Sequence, residues 1–333
     1  GNGTPFPRRL FFDFGNGCVK NILQRGILPP MVRDIFISHL HVDHYADLPY
    51  FLPFRAWSGG WRNGLRIFGP SGDRPETGTR YMVDKMHEMM TWHLENFDHC
   101  PIGEGYNTEV VEFDYKDDNG IVLQEEGLTV RHWGRSHVKN GASAFRVDWE
   151  EADLSFVWTG DGRPDETTIE FARGADVFVT EGQADLPQLL NYKYGTPKPV
   201  LEFTLDTYHT PYYAAGYLMK EIQPRVGMIC HYTEESAGEA IAEVRAHWDG
   251  LFLFGGPDVK VVNVTKDAIW ERMALRPEQA SLQIPDPRDL FPPGQIPEYV
   301  QIPAPRLPRE EQQDAYLRDR ELDPDVYYPE DVK

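Results

Sequence analysis

The stretch that decides the fold reads Ile35-Phe-Ile-Ser-His39-Leu-His41-Val-Asp43-His44-Tyr-Ala-Asp47-Leu48. Its first three residues are apolar and predict a short buried strand. Three histidines and an aspartate follow directly, and these side chains are the ligands of zinc and similar divalent ions. Residues two apart in an extended segment point to the same side, so His39 and His41 can reach one ion. Asp43 and His44 are adjacent and point in different directions, which lets them reach a second ion.

The spacing of these four side chains is specific. The chain contains 11 histidines and 53 acidic residues among 333 residues. Random placement would give three histidines and one acid at these offsets in roughly 0.002 of such chains. The alternative interpretation, surface histidines beside a strand, is therefore disfavoured.

The charge balance narrows the class of partner. The formal net charge is −20 and the isoelectric point is about 4.9, whereas binding to a polyanion needs clustered lysine and arginine. Nucleic acid is therefore not the expected substrate, and a small anionic molecule held by metal ions is compatible with this charge. The length and the hydrophobic content of 41% suit one large globular domain or two smaller ones.

The sequence predicts a soluble protein, cytoplasmic or periplasmic, without a membrane partner. No apolar run approaches the length of a membrane span, and no secretory leader is visible. Gly1 resembles the interior of a longer gene product, which leaves a cleaved leader open. Cys18, Cys100 and Cys230 follow no pattern, so neither a disulfide framework nor a cysteine zinc site is expected.

Further ligand-type residues stand near other predicted strands. Asp161 follows the apolar run 154–158 in a glycine turn, His231 ends the run 226–230, and His137 lies in a loop ahead of a strand. In layered α/β proteins, sites form from loops beyond strand ends. Six or seven histidine and aspartate side chains suit two metal ions rather than one.

At this point the chain resembles the metallo-β-lactamase superfamily, and within it the ribonuclease Z/arylsulfatase-like branch. The resemblance runs from Gly1 to about Ile269. It rests on five segments, namely Ser38-His39-Leu-His41-Val-Asp43-His44, His137, Thr159-Gly160-Asp161, Tyr208-His209-Thr210 and Cys230-His231-Tyr232. The resemblance implies an α/β fold, the αββα sandwich of this superfamily, with two metals at one edge.

The resemblance also implies how the ligands divide between two divalent ions, with zinc as the first choice and manganese or iron as alternatives. The first ion would take His39, His41 and His137, the second would take Asp43, His44 and His231, and Asp161 would bridge the two. His209 would stand beside the site without binding metal, contacting an aspartate behind the ligands or the developing negative charge. A histidine that merely caps a helix is the alternative for His209. His132 lies in mid-strand and is predicted to be structural.

Hydrolysis by a metal-bridging hydroxide follows from such a site. Two divalent ions lower the pKa of a bridging water and polarise a P=O, S=O or C=O group. Asp43 is expected to act as a ligand and as a proton acceptor. Asp13, Asp47 and Glu181 are candidates for acids that orient the imidazoles, and turn-forming acids are the alternative for each.

The predicted catalytic domain spans residues 1–275, with an insertion at about 55–105 near the site. Two segments in this insertion are candidates for the substrate pocket, with an ordinary packed insertion and a core-facing helix stripe as the alternatives. The candidate pocket residues are Arg55, Trp57, Trp61, Met89 and His93. Residues 276–333 form an irregular, Pro-rich, acidic tail that is predicted to cover a surface or to build a homo-oligomer.

The sequence therefore predicts a dinuclear metal-dependent hydrolase that cleaves an ester-type bond in a small molecule. Phosphodiester, sulfate ester, lactone and carboxylic ester are all candidate bonds. The chain lacks a basic, glycine-rich arm of the kind that ribonuclease Z uses to hold tRNA. Two alternatives remain, a ribonuclease Z-like RNA phosphodiesterase and a non-enzymatic scaffold stabilised by metal.

Overall fold

A computed structural model of the chain describes residues 8–58, 64–96, 103–184, 195, 197, 199–200, 208–231, 237–255 and 260–273. Among these residues, no helix has both the length and the apolar character needed to cross a bilayer. The tail at 276–333, its proposed role in an oligomer and the boundary near residue 275 lie outside the described residues and stay predictions.

A four-stranded parallel sheet carries the first half of the site. Its order is β1-β2-β3-β4, with β1 at Leu10–Phe12, β2 at Asp34–Phe36, β3 at Leu65–Pro70 and β4 at Thr108–Phe113. The range 55–105 was predicted as an insertion, yet β3 lies within it and pairs with both β2 and β4. This part of the range therefore belongs to the sheet.

A seven-stranded mixed sheet carries the second half of the site. Its order is β11-β10-β9-β8-β7-β6-β5. The strands are β5 Gly120–Glu125, β6 Leu128–Gly134, β7 Ser143–Trp149, β8 Leu154–Trp158, β9 Val177–Glu181, β10 Val226–Cys230 and β11 Leu251–Phe254. Strands β8 to β11 run parallel, whereas β5 to β8 pair antiparallel. A separate antiparallel hairpin joins β12 Lys260–Val264 to β13 Ile269–Met273.

Helices cover the outer face of each sheet. They are α1 Cys18–Gln24, α2 Leu48–Trp57, α3 Thr79–Met89, α4 Thr91–Glu95, α5 Glu166–Ala172, α6 Tyr212–Ile222 and α7 Ala237–Arg245. One buried cluster joins α1, α2 and α3 to the first sheet, and another joins α5, α6 and α7 to the second. A third buried cluster lies between the two sheets. The predicted αββα sandwich is thus confirmed.

Strand β2 shows why this sequence forms a central strand. Alternate residues of a strand face opposite sides, and in β2 the apolar Ile35 and Phe36 are buried on opposite sides, as expected of a parallel strand covered on both faces. Ile35 packs towards the helices, whereas Phe36 packs between the sheets. The Phe36 ring stacks on Phe68 at 4.4 Å between centroids and meets Phe145 edge-on at 5.7 Å. The chain enters the metal loop from this rigid strand.

His132 on β6 is a buried histidine of the fold. Its residue is 1% exposed, its ring lies 4.1 Å from that of Phe113, and its Nδ1 has no hydrogen-bond partner among the described residues. Burial lowers the pKa of His132 to about 4, against the opposing effect of nearby aspartates. The structure thus places His132 where the sequence predicted a structural role.

This burial predicts acid sensitivity of the fold. The unfolded chain binds a proton at His132 below pH of about 6.5, whereas the folded chain does not until pH of about 4, so stability falls as pH drops through this window. Between pH 7 and pH 5 the His132 contribution should reach about 2 kcal/mol. Urea unfolding at both pH values should show a correspondingly smaller drop for His132→Gln. The exposed His247→Gln variant should retain the wild-type drop, and equal drops in all three proteins would contradict the assignment.

Candidate metal centre

Three histidine nitrogens meet at the edge of the sandwich. His41 Nδ1 lies 3.0 Å from His39 Nε2 and 3.2 Å from His137 Nε2. His39 and His41 follow β2, and His137 comes from the loop between β6 and β7. The three nitrogen atoms lie close enough together to bind one metal ion. The structure therefore brings together the residues that the sequence assigned to the first ion.

The outer nitrogens of His39 and His137 contact other groups of the protein. His137 Nδ1 donates to the Tyr208 carbonyl oxygen at 2.7 Å, and His39 Nδ1 lies 3.1 Å from the Ser38 hydroxyl oxygen. Burial lowers the pKa of His39 to about 2, with a further contribution from His44, and burial lowers that of His137 to about 4. Neutral imidazole is the form that binds a metal ion. The inner lone pairs of this cluster are thus available near neutral pH.

The second cluster combines histidine and carboxylate. Asp43 Oδ2 lies 3.1 Å from His231 Nε2 and 3.5 Å from His44 Nε2. Asp161 Oδ2 lies 3.4 Å from His44 Nε2 and 3.6 Å from His231 Nε2. Asp161 also forms a ligand group with His39 and His44, so it stands between the two clusters. Its turn requires glycine, because Gly160 has φ of +57° and a Cβ there would lie 2.6 Å from the Ser38 side chain.

An orphaned nitrogen tests whether these residues fit a metal ion. His44 Nε2 is buried and has no hydrogen-bond partner among the described residues, whereas His44 Nδ1 contacts Asp13 Oδ2 at 2.8 Å. A buried lone pair aimed at carboxylates without a hydrogen bond is costly, and a bound cation would satisfy it. The residues therefore fit a bound divalent metal. Seven side chains would hold it, namely His39, His41, Asp43, His44, His137, Asp161 and His231.

The second cluster has a strong negative field. Burial alone would lower the pKa values of His44 and His231, but Asp13 and Asp161 raise that of His44 to about 11, and Asp43 and Asp161 raise that of His231 to about 9. The hydrogen bond with His231 holds the pKa of Asp43 below its usual range. A field that attracts protons to these rings also attracts a divalent ion, so protons and metal compete here.

Asp13 holds the second cluster from behind. It follows β1 with φ of +59°, a conformation that non-glycine residues adopt rarely. Its carboxylate accepts hydrogen bonds from four donors, the Ser38 backbone N–H at 2.8 Å, the Ser38 hydroxyl at 2.9 Å, the Trp158 indole at 3.0 Å and His44 Nδ1 at 2.8 Å. These contacts fix the orientation of the His44 ring, because the proton on Nδ1 directs the Nε2 lone pair into the cluster.

We expect Asp13→Asn to weaken the second metal selectively. An asparagine amide would place an N–H₂ donor opposite groups that also donate, which releases the His44 ring. The affinity of the second ion should fall by about 10- to 100-fold while the first ion stays bound. A competition titration with a chromophoric chelator would measure both affinities.

The matched control for that titration is Asp47→Asn. Asp47 accepts from the Val19 backbone N–H at 2.8 Å and so supports the first turn of α1, which is the structural alternative that the sequence left open. Its variant should bind both ions as the wild type does. Equal losses in the two variants would show that any acid in this region affects the site, and the orienting role of Asp13 would be wrong.

Glu181 and His209 form a buried pair beside the ligands. His209 Nδ1 lies 2.6 Å from Glu181 Oε2, and Glu181 Oε1 accepts from the Gly162 backbone N–H at 2.7 Å. The His209 ring stacks on His231 at 5.8 Å and 12°. Burial and the nearby Asp161 raise the pKa of Glu181; burial lowers that of His209, but contact with Glu181 raises it above its ordinary value. The 2.6 Å contact is a hydrogen bond, so one proton lies between His209 Nδ1 and Glu181 Oε2.

The partner of His209 and the start of the following helix differ from expectation. The expected acid behind His209 was an aspartate, whereas the structure has Glu181, with Asp161 at 3.7 Å. A helix cap was the alternative role for His209, but α6 begins after Pro211, and the Thr210 hydroxyl donates to the Gly162 carbonyl oxygen at 2.6 Å. Thr210 thus ties this segment to the Asp161 turn.

One residue of the site was missed by sequence reasoning. The Gln183 amide contacts His231 Nδ1 at 2.8 Å and the His231 carbonyl oxygen at 3.1 Å. Gln183 lies two residues after Glu181, at the carboxyl end of β9. The available signal was its position just beyond β9, which runs parallel to β10. Glutamine is not a common metal ligand, so no role was predicted for it.

The predicted substrate pocket needs correction. Arg55 is 1% exposed and donates to the backbone carbonyl oxygens of Val32 at 3.0 Å and Gly64 at 3.2 Å, so it stabilises the fold. His93 contacts the Tyr106 hydroxyl at 3.2 Å, and Met89 is 65% exposed at the end of α3. Trp57 is the last residue of α2, and nothing further is described of its side chain. Trp61 lies outside the described residues.

A cavity of about 310 Å³ opens instead beside the first cluster. Of the predicted pocket residues whose side chains are described, Arg55, Met89 and His93 do not line it, and the residue of α3 that does is Met82. The cavity is lined by His39, Leu40, His41, Tyr45, Pro70, Ser71, Glu76, Thr77, Gly78, Met82, His137, Lys139, Asn140, Gly141 and Ala142.

Comparison with known proteins agrees with this geometry. Residues 4–134 match the model of the metallo-beta-lactamase superfamily. Ribonuclease Z of Picrophilus torridus is 25% identical over 221 residues, which cover 58% of this chain and 71% of that protein. The metallo-beta-lactamase fold protein YhfI of Bacillus subtilis superimposes with a TM-score of 0.52 at 16% identity, over 79% of this chain and 87% of that one. Human tRNase Z, short form, gives a TM-score of 0.50 at 16% identity, over 74% and 85%.

Proposed function

We propose that the chain is a metal-dependent hydrolase that cleaves a phosphodiester bond, with RNA as the first candidate substrate, because residues 4–134 match the metallo-beta-lactamase superfamily and the relatives include ribonuclease Z. The proposal rests on the convergence of two ligand clusters at Asp161, in a chain whose relatives include ribonuclease Z. Two divalent ions would occupy the clusters, with zinc as the first choice and manganese or iron as alternatives.

The residues of the chain divide the work of such a reaction. When bound, the two ions would supply a hydroxide nucleophile near neutral pH and stabilise negative charge on the scissile group. Asp161 holds the clusters together, and Asp43 keeps a carboxylate at the exposed side of the second cluster, where it can accept a proton. His209 would donate a proton from Nε2 to the leaving oxygen, because its Nδ1 is bonded to Glu181, which fixes the imidazole from behind.

The relatives weigh against the prediction that nucleic acid is an improbable substrate. That prediction used the net charge of −20. This charge disfavours binding of a long polyanion, but it does not determine which type of bond is cleaved. A small-molecule ester therefore stays as the second candidate, supported by this charge. The arylsulfatase side of the resemblance also stays a prediction.

A substrate panel with the zinc- or manganese-loaded protein tests the proposal. The panel contains a precursor RNA with a 3′ extension, bis(p-nitrophenyl) phosphate, p-nitrophenyl sulfate and a lactone. We expect cleavage of the phosphodiesters. Cleavage of the RNA would favour RNA over a small-molecule ester as the substrate. Hydrolysis of only the sulfate or only the lactone would overturn the phosphodiester assignment. No hydrolysis of any substrate by fully loaded protein would favour the scaffold alternative.

A further inference from the structure

The cavity lies on the side of the metal centre that carries the first cluster. All three histidines of the first cluster line the cavity, whereas Asp43, His44 and His231 of the second cluster do not. The Glu181–His209 pair forms a group with Asp161 and His231, and it does not line the cavity either. A substrate that spans the centre would therefore place one substituent in the cavity and the other towards His209.

Two segments form the walls, and direct contacts hold them together. The loop 71–78 and Met82 form one wall, and residues 139–142 form the other. Lys139 Nζ lies 3.2 Å from both carboxylate oxygens of Asp73, and a Cβ at Gly141 would stand 3.3 Å from the Ser71 carbonyl oxygen. The Thr79 hydroxyl donates to the Pro70 carbonyl oxygen at 2.9 Å and fixes the start of α3 to the end of β3. The cavity is thus preformed.

The size and charge of the cavity limit what it accepts. Its volume of about 310 Å³ lies at the lower end of small-molecule sites, which span about 300 to 1,000 Å³. The positive charge of Lys139 is balanced by Asp73, and the negative charge of Glu76 is balanced by Arg74. Leu40, Tyr45 and Met82 supply apolar surface. Such a space suits one compact, uncharged ring rather than a run of phosphates.

We propose that this cavity is a specificity pocket for a single ring-sized group on the retained side of the scissile phosphodiester, with Met82 as its specificity-determining residue. The assignment of the reacting bond rests on the proposed function, whereas the evidence for the pocket is the set of residues that line it. The leaving group is the part that needs a proton, so it belongs on the His209 side. A nucleobase and a simple aryl group have the same relevant chemistry, a flat ring beside an ester phosphate.

Two substrates with one leaving group test the pocket. Bis(p-nitrophenyl) phosphate retains an aryl ring, whereas methyl p-nitrophenyl phosphate retains a methyl group. Burial of the ring should give the aryl substrate an advantage of at least about tenfold in kcat/KM. The p-nitrophenyl ester of thymidine 5′-phosphate retains a nucleoside, and its rank relative to the aryl substrate shows which source of the ring fits better.

Substitutions at two methionines of α3 supply a matched pair. Met82→Trp fills the cavity and should abolish the aryl preference. Met89→Trp places the same side chain at an exposed position outside the lining and should retain the preference. Both variants should keep the wild-type metal content. If Met82→Trp does not fold by circular dichroism, Met82→Ala replaces it, and the enlarged space should raise the relative rate of a substrate that retains a naphthyl group.

Binding of inert ligands separates the pocket from the reaction. Phenylphosphonate should bind the metal-loaded wild type and Met89→Trp at least about tenfold more tightly than methylphosphonate does, by calorimetry, and Met82→Trp should lose this difference. That pattern without hydrolysis of any phosphodiester would support the pocket and overturn the proposed function. Hydrolysis without an aryl preference, or a preference that survives in Met82→Trp, would overturn the pocket and leave the proposed function standing.

Discussion

His41→Ala should lose metal and activity together. His41 Nδ1 contacts both partner nitrogens of the first cluster, at 3.0 Å and 3.2 Å, while the residue itself is exposed. Its removal should therefore damage the cluster without opening a hole in the core. Loss of one electrostatic contact to a transition state costs about 10²- to 10³-fold, so loss of an ion should lower kcat/KM by at least about a thousandfold. Elemental analysis after dialysis should show at least one ion fewer per chain.

The control for that experiment is His247→Ala, which removes an exposed histidine whose ring contact is with Tyr217. It should retain metal and activity. If His41→Ala kept the full metal content with reduced activity, His41 would be a substrate contact rather than a ligand. If it lost metal and kept activity, the first ion would not take part in the reaction.

Much of the metal centre could be anticipated from local sequence. The strand β2 is short and apolar on both faces, and its end gives His39 and His41 a common direction, which the convergence of their nitrogens bears out. Asp161 and His231 also follow parallel strands of a single sheet, so their carboxyl ends meet at one edge. The fold class was confirmed on a different basis, because the αββα sandwich was implied by the resemblance that these motifs carry.

Other features depend on contacts that no local pattern contains. Asp13 orients His44 only because β1 pairs in parallel with β2, which brings residues 31 apart in sequence into contact. Arg55 looked like an exposed cation because its partners are backbone carbonyl oxygens, and these leave no trace in the sequence. Gln183 was missed because an amide behind a ligand has no motif.

A geometric difference separates Met89 from Met82, the methionine that lines the cavity. Met82 and Met89 are seven residues apart, so they share one face of α3, and periodicity does not distinguish them. Along the helix axis, however, they are about 10 Å apart. Met82 lies near the start of α3, which is fixed to the end of β3, whereas Met89 ends the helix and is exposed. The helical period therefore indicates which face of α3 a residue lies on, but not how far along the helix it lies.

His209→Ala should keep both ions and lose rate. His209 Nδ1 is committed to Glu181 at 2.6 Å, which leaves Nε2 as the ring atom that would donate a proton in the proposed reaction. Loss of a general acid costs about 10²- to 10⁴-fold, and the cost depends on the leaving group. Phenolate or alkoxide leaving groups need the proton, whereas p-nitrophenolate leaves readily without it. The variant should therefore lose far more activity on an alkyl or phenyl phosphodiester than on a p-nitrophenyl one.

Leaving-group dependence separates proton donation from structural support. A variant that merely disturbed the ligand rings would slow both kinds of substrate equally. His93→Ala, which removes the histidine that contacts Tyr106, is the matched control and should slow neither. Loss of metal from His209→Ala would instead make His209 a ligand, because its ring lies within the group formed by Asp161, Glu181 and His231. In that case Glu181 would be the carboxylate that orients a metal-binding His209. The proton for the leaving oxygen would then have to come from another group.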